Sequence, residues 1–156
     1  MTRFFPFIRL SLFLAGSLLL ISPAWADTVY SALINGQTSG TDSPAFGTAI
    51  LTLNAAETEV FYEVEYSGLQ GNEIGAHFHN AAPGMDGPRL LLLFPGSPKT
   101  GFWEVEPFEV EELAAGRVYI NVHTDAYPMG EIRGNLEFSS VPNDAASWGS
   151  IKALFH

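Results

Sequence analysis

Between Glu59 and Tyr66 the chain alternates strictly. Val60, Tyr62, Val64 and Tyr66 are separated by Phe61, Glu63 and Glu65. A strand sends successive side chains to opposite faces, whereas a helix repeats its face every 3.6 residues. This segment is therefore a half-buried strand. Similar short runs recur along the chain, each closed by Gly, Pro, Asn or Ser: Thr28–Asn35, Thr48–Asn54, Gly75–Asn80, Arg89–Phe94, Phe102–Glu106, Arg117–Thr124 and Glu131–Phe138. Arg89–Phe94 is continuously apolar and reads as a strand buried on both faces. Phe108–Ala115 follows Pro107 and is stopped by Gly116, the signature of a short helix. The expected fold is all-β, an antiparallel β-sandwich or Greek-key barrel of about seven to eight strands with one short helix.

The ends of the chain differ from this body. Arg3 and Arg9 precede or open an apolar run to Ile21, and Ala24-Trp25-Ala26 supplies small residues where a signal peptidase reads. Residues 1–26 are expected to be a signal peptide, which places the protein in the periplasm or outside the cell, with no membrane span in the mature chain. Residues 27–138 form the expected domain, and residues 139–156 a linker and short tail. In that tail Trp148, Ile151, Leu154 and Phe155 fall on one side of a short amphipathic helix.

Composition narrows the chemistry. The absence of cysteine removes thiolate zinc sites, cysteine nucleophiles, iron–sulfur clusters and disulfides. The formal net charge is −10, and loss of Arg3 and Arg9 with the leader makes the remainder more negative. Such a chain repels polyanions, so nucleic acid is not an expected partner. No nucleotide loop or Gly-x-Ser-x-Gly elbow is present. The many glutamates lack the spacing of a calcium loop.

Three of the four histidines carry the remaining signal. In Gly75–Asn80, His77 and His79 share the face opposite Ala76 and Phe78. In Arg117–Thr124, Tyr119, Asn121 and His123 oppose Val118, Ile120 and Val122. In Glu131–Phe138, Glu131, Arg133 and Asn135 oppose Ile132, Leu136 and Phe138. With the apolar faces turned inward, all three imidazoles point away from the core. A short connection joins the last two strands, so an antiparallel pairing sets His123 beside Glu131 or Arg133. Two histidines at i and i+2 can reach one ion, and a third completes a tris-imidazole set suited to copper or zinc. Asp125 or Glu131 is then the carboxylate expected to orient a ligand. The alternative is that these histidines only hydrogen-bond at the domain rim.

The histidine regions resemble the CHRD domain, the module named after chordin. The resemblance rests on Ala76 to Gly84 (Ala-His-Phe-His-Asn-Ala-Ala-Pro-Gly) with Gly87-Pro88, and on Gly116 to Thr124 (Gly-Arg-Val-Tyr-Ile-Asn-Val-His-Thr). Pro128 to Gly134 (Pro-Met-Gly-Glu-Ile-Arg-Gly) completes it. It spans about Val29 to Phe138. It implies an extracellular β-rich binding module with no established reaction, in which His77, His79, His123, Glu131 and Arg133 are pattern residues. The His-x-His on a strand is also similar to copper/zinc superoxide dismutase, but that enzyme's two-metal site needs more histidines than this chain provides outside its tail.

Three functions stay open on this basis. One is an exported non-catalytic binding module, with a transition metal or an extracellular protein as partner. The second is a mononuclear copper redox enzyme. The third is a purely structural or adhesive extracellular domain.

Overall fold

The period-two segments build a single antiparallel sheet in the computed structural model, which describes residues 26–139. The expected signal peptide, apart from Ala26, and the expected linker and tail, apart from Ser139, lie outside the described residues. Nine strands follow the order β1 (Thr28–Asn35), β2 (Phe46–Leu53), β3 (Glu59–Ser67), β4 (Glu73–Asn80), β5 (Arg89–Leu93), β6 (Lys99–Glu104), β7 (Val118–Thr124), β8 (Ile132–Asn135) and β9 (Glu137–Phe138). Two short helices, α1 (Gly36–Ser39) and α2 (Pro107–Ala114), interrupt them.

The strands pair in the order β5-β4-β7-β8-β1-β2-β3-β6, with β9 added beside β1. All pairings are antiparallel. The sheet curls into a nearly closed barrel. Its two halves meet through the alternation seen in sequence. Phe78 of β4 stacks on Trp103 of β6 at 5.7 Å and meets the ring of Tyr62 on β3 edge-on at 5.7 Å. β4 pairs with neither β6 nor β3 in the sheet, so the contacts cross the core. Val60, Tyr62 and Val64 of β3, Ala76 and Phe78 of β4, and Val118, Ile120 and Val122 of β7 are all buried there. Lys99 ties the same two halves. Its buried ammonium reaches Glu73 at 2.6 Å and the Phe94 carbonyl at 2.7 Å.

Three expectations change. Arg89–Phe94 is not buried on both faces. β5 is an edge strand among the described residues; Leu92, opposite His77 on the outer face, is 68% exposed, and Phe94, just beyond the strand, is 81% exposed. The single expected strand Glu131–Phe138 starts at Ile132 and breaks at Leu136, where the Leu136 amide still bonds the Val118 carbonyl of β7 at 2.9 Å while Glu137–Phe138 pair with β1 instead. Finally, the Gly-rich stretch after β1 contains the helical turn α1. There the Asn35 side chain accepts from the Thr38 amide at 2.7 Å, and Gly40 ends the turn at φ 77°.

Candidate metal centre

β4 and β7 pair so that Gly75 faces His123, His77 faces Asn121 and His79 faces Tyr119. On the next strand, Arg133 of β8 faces Asn121. Directly opposed residues share a face. One patch of sheet therefore carries His77, His79 and His123 together with Tyr119, Asn121 and Arg133. The imidazole centroids are 5.1 Å (His77–His123), 5.5 Å (His77–His79) and 6.2 Å (His79–His123) apart. One nitrogen from each ring lies within 4.8 Å of the other two.

Gly75 makes room for this. A Cβ at that position would stand 3.3 Å from Cε1 of His77. Replacing Gly75 with alanine is expected to tilt the His77 ring. Metal affinity should fall about tenfold, the scale of lost ligand positioning, while the urea midpoint stays near the wild-type value. Calorimetric titration with copper or zinc checks both parts when run beside an unfolding curve.

The face looks away from the core, as the strand phase predicts, but it is not an open surface. His79, Tyr119, Asn121 and Arg133 are all buried. Two loops cover them. From the loop between β4 and β5, the Gly87 carbonyl lies 2.9 Å from Nδ1 of His79, and the Gly87 amide donates to the Tyr119 hydroxyl at 3.2 Å. Arg133 donates to the Met85 carbonyl at 2.5 Å and to Asp86 at 3.0 Å in the same loop. From the loop between β7 and β8, the Pro128 carbonyl lies 3.1 Å from Nδ1 of His123, and the Met129 carbonyl accepts from Asn121 at 3.1 Å.

Those two carbonyls decide the histidine tautomers. A carbonyl only accepts, so Nδ1 of His79 and of His123 must carry the proton. Nε2 of each ring then keeps its lone pair. Both Nε2 atoms are buried and have no hydrogen-bond partner, as is Nδ1 of His77. An N–H held on a carbonyl while the other nitrogen stays free is how metal-ligating histidines are oriented. The face also stacks. The His79 ring lies on Tyr119 at 4.9 Å and 11°, and the Arg133 guanidinium covers the same ring at 3.5 Å. His79 is thus fixed in plane as well as in tautomer.

The surroundings hold all three imidazoles neutral. Burial, followed by the charges His123, His79 and Arg89 would add, pushes His77 down to about 4. Burial lowers His79 against the upward pull of the Gly87 carbonyl, with Arg133 and Arg89 adding to the lowering. Burial also lowers His123 against the Pro128 carbonyl. Neutral imidazole is the form that binds metal.

The carboxylates expected to orient the ligands do something else. Asp125 accepts from the Asn72 amide at 2.8 Å and its side chain at 2.9 Å, holding two loops together. Glu131 accepts from Ser43, the Gln70 amide and Thr124. The register does set position 131 across from His123, but Glu131 precedes β8 and follows Gly130 at φ 125°. Its side chain leaves the strand phase and turns to the opposite side. Backbone carbonyls of Gly87 and Pro128 take the orienting role. Sequence carried no signal for them beyond the glycines and prolines of the loops.

The rings line a cleft of about 470 Å³ that Pro88, Arg89 and Pro128 help to close. The CHRD domain family matches residues 30–136. The chain belongs to the CHRD family. The matched residues contain every element of the histidine face and both loops over it. No solved structure matches the chain. Membership points to a non-catalytic binding module, and the cluster of three histidines lies within the matched residues. Among the described residues no helix is long and apolar enough to cross a membrane.

Proposed function

We propose that this CHRD module is an exported, non-catalytic protein that binds one transition-metal ion, copper or zinc, through His77, His79 and His123. One observation carries the reading. Three imidazoles converge with a buried, unpartnered nitrogen on each, and backbone carbonyls fix two of them in the ligating tautomer. Leaving three buried polar atoms without partners costs about 1–3 kcal/mol each. A bound ion removes that cost at once.

Three neutral nitrogens suit Cu²⁺ or Zn²⁺ rather than calcium or magnesium, which prefer oxygen. Three protein ligands also leave a coordination position open toward the cleft. Export rests on the basic, apolar and small-residue order of residues 1–26. A chain without cysteine is indifferent to the redox state of the compartment it enters.

Native mass spectrometry of the mature protein with copper or zinc tests the centre. The expected result is one ion per chain. The His77→Ala/His79→Ala double variant should bind at least about a hundredfold more weakly, because only one of the three nitrogens remains. Equal metal uptake by that variant, with circular dichroism showing it folded, would falsify the assignment.

A further inference from the structure

The chain has 17 Asp+Glu against 7 Lys+Arg. The histidine cleft inverts that balance. Arg89 is among the residues that line it, and no carboxylate is. Asp86, whose charge acts on His79, is already paired with Arg133 at 3.0 Å. Three neutral imidazoles contribute no charge to offset a dication. A metal placed there carries its full charge beside a guanidinium, with no protein anion in the cleft to balance either.

Arg89 has a second property. Its Nη1 stands 3.4 Å from Nε2 of His77, and the side chain is exposed at the mouth of the cleft. That contact cannot survive metal loading, whichever nitrogen of His77 becomes the ligand. If Nδ1 binds the ion, Nε2 must carry the ring proton, and two donors then face each other. If Nε2 binds the ion, its lone pair is used. In both cases the guanidinium is released while it remains anchored on β5, opposite His79 in the register. It becomes a free fork of donors beside an open coordination position.

We propose that the cleft binds a small anion as the fourth ligand of the metal, held between the ion and the Arg89 guanidinium. The inference rests on the metal centre proposed above and adds the class of its exogenous ligand: a compact monoanion or a carboxylate-sized oxyanion. The side chains of Ile74, Pro88 and Pro128 offer no donors on the remaining sides, so a large polyanion would gain no further side-chain contact over a small one. Arginine suits the role because its planar donor fork meets an anion bidentately and keeps its charge at any accessible pH.

Azide is the probe. The copper-loaded full chain is titrated with azide, and the azide-to-copper charge-transfer absorption is followed in the wild type, Arg89→Ala and Arg89→Lys. Copper stoichiometry is measured first in each. The expected outcome is an azide band in the wild type. Arg89→Ala should weaken the azide Kd about tenfold, the scale of a hydrogen bond to a charged group, with an unchanged copper count. Arg89→Lys should recover part of the loss, and added salt should narrow the gap between wild type and Arg89→Ala. Equal azide affinity in wild type and Arg89→Ala overturns the proposal, as does a copper-loaded wild type that gives no azide band. Failure of the wild type to take up copper is seen before azide is added, and it removes the metal centre itself.

Discussion

Glu131→Ala is expected to lose about 4 kcal/mol of stability, from three hydrogen bonds to a buried charge and the donors left behind. Glu131 is fully buried. Its Oε1 accepts from the Ser43 hydroxyl at 2.6 Å and from the Gln70 amide at 2.7 Å, and its Oε2 accepts from the Thr124 hydroxyl at 2.7 Å. Burial by itself would raise this carboxyl. The bonds from Ser43, Gln70, Thr124 and the Gly71 backbone outweigh it and hold the group below the usual carboxylate range. One carboxylate thus pins the loop before β2, the loop before β4 and the end of β7. A loss of about 4 kcal/mol is a large part of the 5–15 kcal/mol typical of a domain. Urea unfolding of the variant beside wild type measures it. Glu131→Gln keeps the volume and an oxygen for Ser43 and Gln70 but loses the charge and turns an NH₂ toward Thr124, so it should recover only part of the loss. A midpoint in Glu131→Ala within experimental error of wild type would show that water replaces the carboxylate at no cost.

Much of this architecture was legible because strand phase is a local property. Val60, Tyr62 and Val64 declare their face without reference to any partner, and the same rule turned His77, His79 and His123 away from the core before any pairing was known; the β4–β7 pairing then brought them together. Register followed less fully. A short connection fixed the β7–β8 pairing as antiparallel, yet Glu131 escaped the phase because Gly130 takes a φ of 125° just before the strand begins. Phase says which way a side chain points and nothing about what lies above it. The histidine face was therefore expected to be an exposed surface. It is roofed by Met85–Gly87 and Pro128–Met129, whose contributions are backbone carbonyls that any sequence possesses. The β5 edge was misread for a related reason. Apolar content marks a strand as suited to burial, but only the global strand order decides whether a neighbour arrives to bury it. Lys99 and Glu73 are far apart in sequence and carry no motif, so their buried pair was invisible until the barrel closed.

Metal held by the three histidines is expected to withstand acid unusually well and then to leave over a narrow range. Solvated imidazoles near their ordinary value of about 6.5 begin to lose metal to protons just below neutrality. Here all three are pushed lower, first by burial, and His77 reaches about 4. The neutral, ligating form of His77 therefore persists well below pH 6, and those of His79 and His123 persist below the ordinary value. Once the pH falls below each depressed value, every protonating imidazole weakens binding about tenfold per pH unit, so several acting together release the ion steeply. The apo fold responds in the same direction. A histidine whose folded value lies below its unfolded one binds fewer protons when folded, throughout the window between the two values. Stability is then complete above about 6.5 and declines as the pH falls toward about 4. Dialysis of the loaded protein at steps from about pH 7 to about pH 3, with metal counted at each step, gives the release curve. Urea midpoints of the apo protein over the same steps give the fold's share. His77→Asn should flatten the apo curve between about 6.5 and about 4, because it removes the group that must charge there. A release midpoint near 6.5, with no difference between wild type and His77→Asn in the apo curve, would mean that the loops do not shield the imidazoles from water.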